Sequence, residues 1–104
     1  MDPSDTALLR RWVDRRDADA FNELANRYAG MVYATCMRVL GNQADAEEVT
    51  QDCFLRLAEG DAPVRRSFGG WLHRLATHRC LNRIRSEKRR SLREKRFAEQ
   101  AVPP

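Results

Sequence analysis

Residues 45–54 read Asp45-Ala46-Glu47-Glu48-Val49-Thr50-Gln51-Asp52-Cys53-Phe54. Carried on to Leu57, the stretch places Ala46, Val49, Cys53 and Leu57 at the spacing of one buried stripe on an α-helix. The remaining faces hold Asp45, Glu47, Glu48, Gln51 and Asp52, so this helix is apolar on one side and acidic on the other. It starts near Gln43 or Ala44, directly after Gly41-Asn42, a helix stop signal. It ends where Glu59-Gly60-Asp61-Ala62-Pro63 breaks the pattern.

Upstream, Ala20, Phe21, Leu24, Ala25, Tyr28, Met31, Val32 and Thr35 recur at helical spacing, with Asp17 as cap, and predict a long helix running to about Leu40. Gly30 inside it costs about 1 kcal/mol relative to Ala, which predicts close packing of a neighbouring helix there. Before it, Ser4 caps a short helix with Asp5 in its first turn and an apolar stripe of Ala7, Leu8, Leu9, Trp12 and Val13, ending near Arg16. Downstream, Ser67 caps a fourth helix. Phe68, Trp71, Leu72, Leu75 and Ala76 face the core, and the row then drifts to Cys80 and Ile84. Trp71 reads as a core residue rather than a base-stacking ring. After Ser86 the chain turns highly charged, and its closing Ala101-Val102-Pro103-Pro104 does not suit a helix and reads as the start of a linker. The fold class that follows is all-α, a helical bundle of three main helices plus a short N-terminal helix. The divisions are 1–16 for the N-terminal helix, 17–90 for the bundle and 91–104 for the start of a linker to a missing C-terminal domain.

The 104 residues suffice for one modest core, and 33% charged against 42% hydrophobic residues suits a globular chain. No apolar run approaches the roughly 20 residues of a membrane span. Met1-Asp2-Pro3-Ser4-Asp5 lacks a signal core, and the expected location is cytoplasmic, with no membrane partner. Cys36, Cys53 and Cys80 are odd in number and sit in apolar patterns, so they read as reduced core thiols. Charge is divided unevenly. Residues 1–60 hold 7 Arg against 11 acids, whereas residues 61–104 hold 10 Arg and 2 Lys against 4 acids. The second half suits an anionic partner, nucleic acid first of all.

Enzyme chemistry finds little support. His73 and His78 have no neighbouring acid or nucleophile. The spacings of zinc sites are absent, and Gly69-Gly70 lacks the flanks of a phosphate loop. No catalytic residue, metal or cofactor is expected. Two surfaces are left. Glu48, Gln51 and Asp52 share one face of the third helix and Asp45 extends it by a turn, a ridge suited to a basic helical surface, though a merely solvated face fits the composition as well. On the fourth helix Arg74, His78 and Arg85 fall within about 40° of one another, with Asn82 close by. Arg83, Lys88, Arg89 and Arg90 broaden this patch. Cations suit phosphate and the amide suits a base edge. Arg79 lies toward Leu72 and Leu75, where pairing with an acid of the bundle is open.

Taken together, residues 45–54 resemble the DAED-x-x-Q-x-x-F signature of region 2 in bacterial sigma factors of the extracytoplasmic-function group. Ala20-Phe21 through Tyr28 and Arg38-Val39-Leu40-Gly41-Asn42 are similar to the part preceding that signature. Trp71-Leu72-His73-Arg74-Leu75-Ala76 resembles its WL-x-x-IA element, and Ile84-Arg85 with Lys88-Arg89-Arg90 its basic end. The likeness covers about residues 17–90. It implies a helical domain that docks on the clamp helices of the largest RNA polymerase subunit and helps to recognise and open the promoter −10 element on the non-template strand. It assigns Asp45, Glu47, Glu48, Gln51, Asp52 and Phe54 to polymerase. It assigns Arg65, Arg66, Arg74, His78, Arg79, Asn82, Arg83, Arg85, Lys88 and Arg89 to DNA, and the Leu57–Ser67 loop to an extruded base. It leaves room for an anti-sigma factor as a further partner. Glu48 stands where the family usually has Asp, His78 replaces its usual Asn, and Asn82 a frequent Asp. A complete factor would carry a C-terminal helix-turn-helix domain, so the chain reads as an isolated region 2. Two other classes remain in view: a sequence-independent basic nucleic-acid binder and a protein–protein adaptor.

Overall fold

The computed structural model describes residues 3–60 and 67–101. Four helices follow in order: α1 (Asp5–Arg15), α2 (Ala18–Leu40), α3 (Gln43–Ala58) and α4 (Phe68–Ala101). No strand is present among the described residues. The expected all-α bundle is the observed architecture.

Local chemistry sets the helix ends. The Ser4 Oγ accepts from the Ala7 N–H (3.1 Å) and the Asp17 carboxylate accepts from the Asp19 and Ala20 N–H groups, so both expected caps are made. Asn42 does more than help to stop α2. Its Oδ1 accepts from the Asp45 N–H (3.0 Å) and opens α3. The Ser67 Oγ accepts from the Gly70 N–H (3.0 Å) at the start of α4. Gly41 ends α2 with φ +66°, a conformation that suits glycine. Arg16 ends α1 with φ +52°, and its guanidinium donates to the Ala58 carbonyl at the far end of α3 (2.8 Å).

α2 packs against each of the other three helices, and α3 against α4. The core holds Leu8 of α1, Leu24, Val32 and Cys36 of α2, Val49, Cys53 and Leu57 of α3, and Phe68, Leu72 and Cys80 of α4. Phe21, Tyr28 and Leu75 pack on this cluster from its rim. Trp71 is also half-buried beside the core, its ring 6.2 Å from that of Phe68, in keeping with its expected role.

One expectation changes. Gly30 is exposed, and a Cβ placed there meets nothing within 4 Å. The close approach belongs to Gly69, where a Cβ would come 3.1 Å from the Tyr28 ring. The charged stretch after Ser86 does not leave the helix. α4 continues through Ala101, and residues 88–101 are all exposed. Charged residues with long stems are good helix formers, so loss of the apolar row ends burial there without ending the helix.

Candidate functional site

α3 turns two polar flanks outward around its buried stripe. On the flank toward α4, Asp45, Glu48 and Asp52 stand within one side of the helix. They are not free of the fold. Arg83 of α4 reaches across with Nη2 at 2.9 Å from Asp45 Oδ1 and 3.0 Å from Glu48 Oε2, while its Nε lies 3.3 Å from Glu87 Oε1. The guanidinium hydrogen bond holds the Glu48 carboxyl below its ordinary range, and the same pairing keeps Arg83 protonated. Glu48 nevertheless keeps 59% of its side chain in solvent, so a second partner has access to it.

On the flank toward α2, Gln51 and Phe54 border an apolar groove with Phe21, Ala25 and Ala29 of α2 and Leu55 and Ala58 of α3. Leu55 is 65% exposed. Sequence reasoning passed over it because it falls outside the buried period. An apolar residue off that stripe was the available signal. Glu47 is exposed, and its Oε1 accepts from Gln43 Nε2 at 3.1 Å. The six α3 residues assigned to polymerase therefore fall on two adjoining flanks, one acidic and one apolar-edged.

On α4, Arg74, His78, Asn82, Arg85, Lys88 and Arg89 are all exposed. Trp71, Arg74, Leu75 and His78 line one shallow hollow on the surface. Arg79 is exposed and makes no ion pair among the described residues. It lines a groove with Val49, Asp52, Asn82 and Arg83. The pairing with an acid of the bundle falls to Arg83 instead, which leaves the exposed basic row for the α3–α4 seam. Its partners lie 35 and 38 positions away, beyond the reach of helical spacing. Arg65 and Arg66 lie outside the described residues, as does most of the loop they belong to.

No group of His, Cys, Asp and Glu among the described residues is arranged to hold a metal ion. Cys36, Cys53 and Cys80 are free, fully buried thiols, one from each main helix. Burial pushes the Cys53 and Cys80 thiols up to about 12. No described helix is long and apolar enough to cross a membrane.

Residues 24–90 match the sigma-70 region 2 family. The chain is 39% identical over 104 residues to the ECF RNA polymerase sigma factor SigK of Mycobacterium sp. (strain KMS), covering 97% of this chain and 54% of that relative. It is 36% identical over 78 residues to the ECF RNA polymerase sigma factor SigW of Bacillus subtilis (strain 168), covering 73% of this chain and 42% of the relative. Against the ECF RNA polymerase sigma factor SigE of Mycolicibacterium smegmatis the identity is 34% over 89 residues, 85% of this chain and 35% of the relative. The chain belongs to the sigma-70 region 2 family, and its relatives are sigma factors of the extracytoplasmic-function group. It spans about half the length, or less, of these curated relatives.

Proposed function

We propose that this chain acts as region 2 of an extracytoplasmic-function sigma factor in transcription initiation, joining RNA polymerase core to promoter DNA. The observation that carries this reading is the separation of charge across one helical bundle. Acids occupy the outer side of α3, and exposed cations with one amide run along α4. Asp45, Glu48, Gln51 and Asp52 meet the polymerase clamp helices, with Phe54 and Leu55 adding apolar contact beside them. Arg74, His78, Asn82 and Arg85 face the non-template strand of the −10 element, with Lys88 and Arg89 on neighbouring phosphates. Arg79 stands between the two surfaces. An anti-sigma factor would compete for the same faces. The place of action is the cytoplasm, where the transcription machinery is. Capture of core polymerase by the parent chain, and its loss when Glu48 and Asp52 are both changed to Lys in a folded protein, tests the reading. Equal capture by both proteins would leave a basic nucleic-acid binder as the better account.

A further inference from the structure

Among the described residues Arg83 is the cation that is half-buried and ion-paired against the acidic flank of α3. Its side chain is 26% exposed, and its Nη2 serves both Asp45 (2.9 Å) and Glu48 (3.0 Å). Glu87 holds its Nε from one helical turn further along α4. Two of the three carboxylates around it belong to the surface proposed to meet polymerase. A basic partner that approaches Glu48 thus meets a carboxylate already shared with an internal cation about 3 Å away. A partner charge seated on the far side of that carboxylate still falls within the Debye length of about 8 Å at physiological ionic strength, so it feels the cation only partly screened. Charges at the edge of an interface act mainly on association rate and salt dependence.

We infer that Arg83 is a self-masking cation: it competes with the basic surface of polymerase for Glu48 and Asp45 and sets the affinity of the acidic flank below what its carboxylates alone would give. This rests on the docking reading above. The consequence is a gain. Removing Arg83 bares two carboxylates and raises the negative potential of the flank, so association with a positive surface quickens. A less stable fold lowers binding and does not raise it, so tighter binding separates masking from a merely structural role.

The test measures binding of the full chain to bacterial RNA polymerase core at low and physiological salt, for the parent, Arg83→Gln, Arg83→Lys and Glu48→Lys. Arg83→Gln is expected to bind about threefold or more tightly at low salt, with a steeper salt dependence. Arg83→Lys keeps the charge and should behave like the parent. If Arg83→Gln does not fold, Arg83→Gln combined with Glu87→Gln relieves the crowding of carboxylates and makes the same comparison. Weaker or unchanged binding of the folded Arg83→Gln protein, while Glu48→Lys loses affinity, overturns the masking and leaves the docking surface standing. Parent-like binding of Glu48→Lys overturns the docking surface, and the masking with it.

Discussion

Glu48 sits with one carboxylate oxygen on Arg83 and more than half of its side chain in solvent. On exposure alone, replacing it would leave the fold untouched. The Arg83 contact changes that expectation. Glu48→Lys sets two cations against each other across the α3–α4 seam, and should lower the thermal midpoint slightly while weakening capture of polymerase strongly. Thermal melts beside pull-downs separate the two effects, and retained capture in a folded protein would remove Glu48 from the docking surface. The three cysteines make a second case at this scale. With Cys53 and Cys80 pushed up to about 12 by burial, almost none of either is thiolate at about pH 8, and Cys36 is fully buried from reagent. Ellman's reagent should therefore find no fast-reacting thiol in the native protein and three after denaturation. A thiol that reacts within seconds under native conditions would show that the core opens far more readily than its packing implies.

At the scale of elements, periodicity made α1, α2, α3 and most of the buried face of α4 legible, because burial repeats with the helix. It failed where the deciding term was long-range. Gly30 looked like a packing glycine, but the approach of α2 to α4 occurs at Gly69 against Tyr28, two residues 41 positions apart. The partners of Arg83 were hidden for the same reason. Beyond Ser86 α4 continues with no buried face for periodicity to report, carried by helix-forming charged residues. Two expectations follow from the packing. Leu72 is fully buried and Leu75 only half so. Leu72→Ala should cost about 2–5 kcal/mol and Leu75→Ala less, measured by urea unfolding. The reverse order would mean that α4 is rotated on the bundle. The short helix α1 is tied to α2 where Asp5 accepts hydrogen bonds from Tyr28 and Arg27. The bond to Asp5, then burial, raises the Tyr28 phenol above its ordinary 10.0. The folded value is the higher one, so this contribution is full below pH 10 and is lost as pH rises through the raised value. Tyr28→Phe should lower the thermal midpoint at pH 7 and flatten its alkaline decline. An unchanged decline would assign that loss to other groups.

Across the whole molecule the arrangement that matters is the α3–α4 seam, with acids on one side and exposed cations on the other. A domain of this kind should bind nucleic acid weakly alone and selectively only when polymerase holds it. Arg74 and Arg85 stand on one side of α4, eleven residues and about three turns apart, exposed and suited to phosphate. Asn82 lies near that row and offers both a donor and an acceptor to a base edge. The two kinds of residue predict different failures. Arg74→Ala and Arg85→Ala should each weaken binding to non-template-strand oligonucleotides by similar factors for every sequence. Each should also reduce the slope of log K against log salt by about 0.7, the value for one phosphate contact on a single strand. Asn82→Ala should leave the salt slope alone and alter the ranking of sequences, by about 1–3 kcal/mol at the base it contacts. The measurement is a salt titration over a small panel of oligonucleotides that vary at each −10 position, on polymerase assembled with each variant. Arg79→Ala serves as the control between the two surfaces. It lines the groove beside Asp52 and Asn82, so an effect on the salt slope would extend the DNA row toward the seam. If Asn82→Ala keeps the parent's ranking, the α4 row contributes phosphate contact alone. Base choice must then come from residues off this helix, and the segment between α3 and α4 that carries Arg65 and Arg66 becomes the next place to substitute.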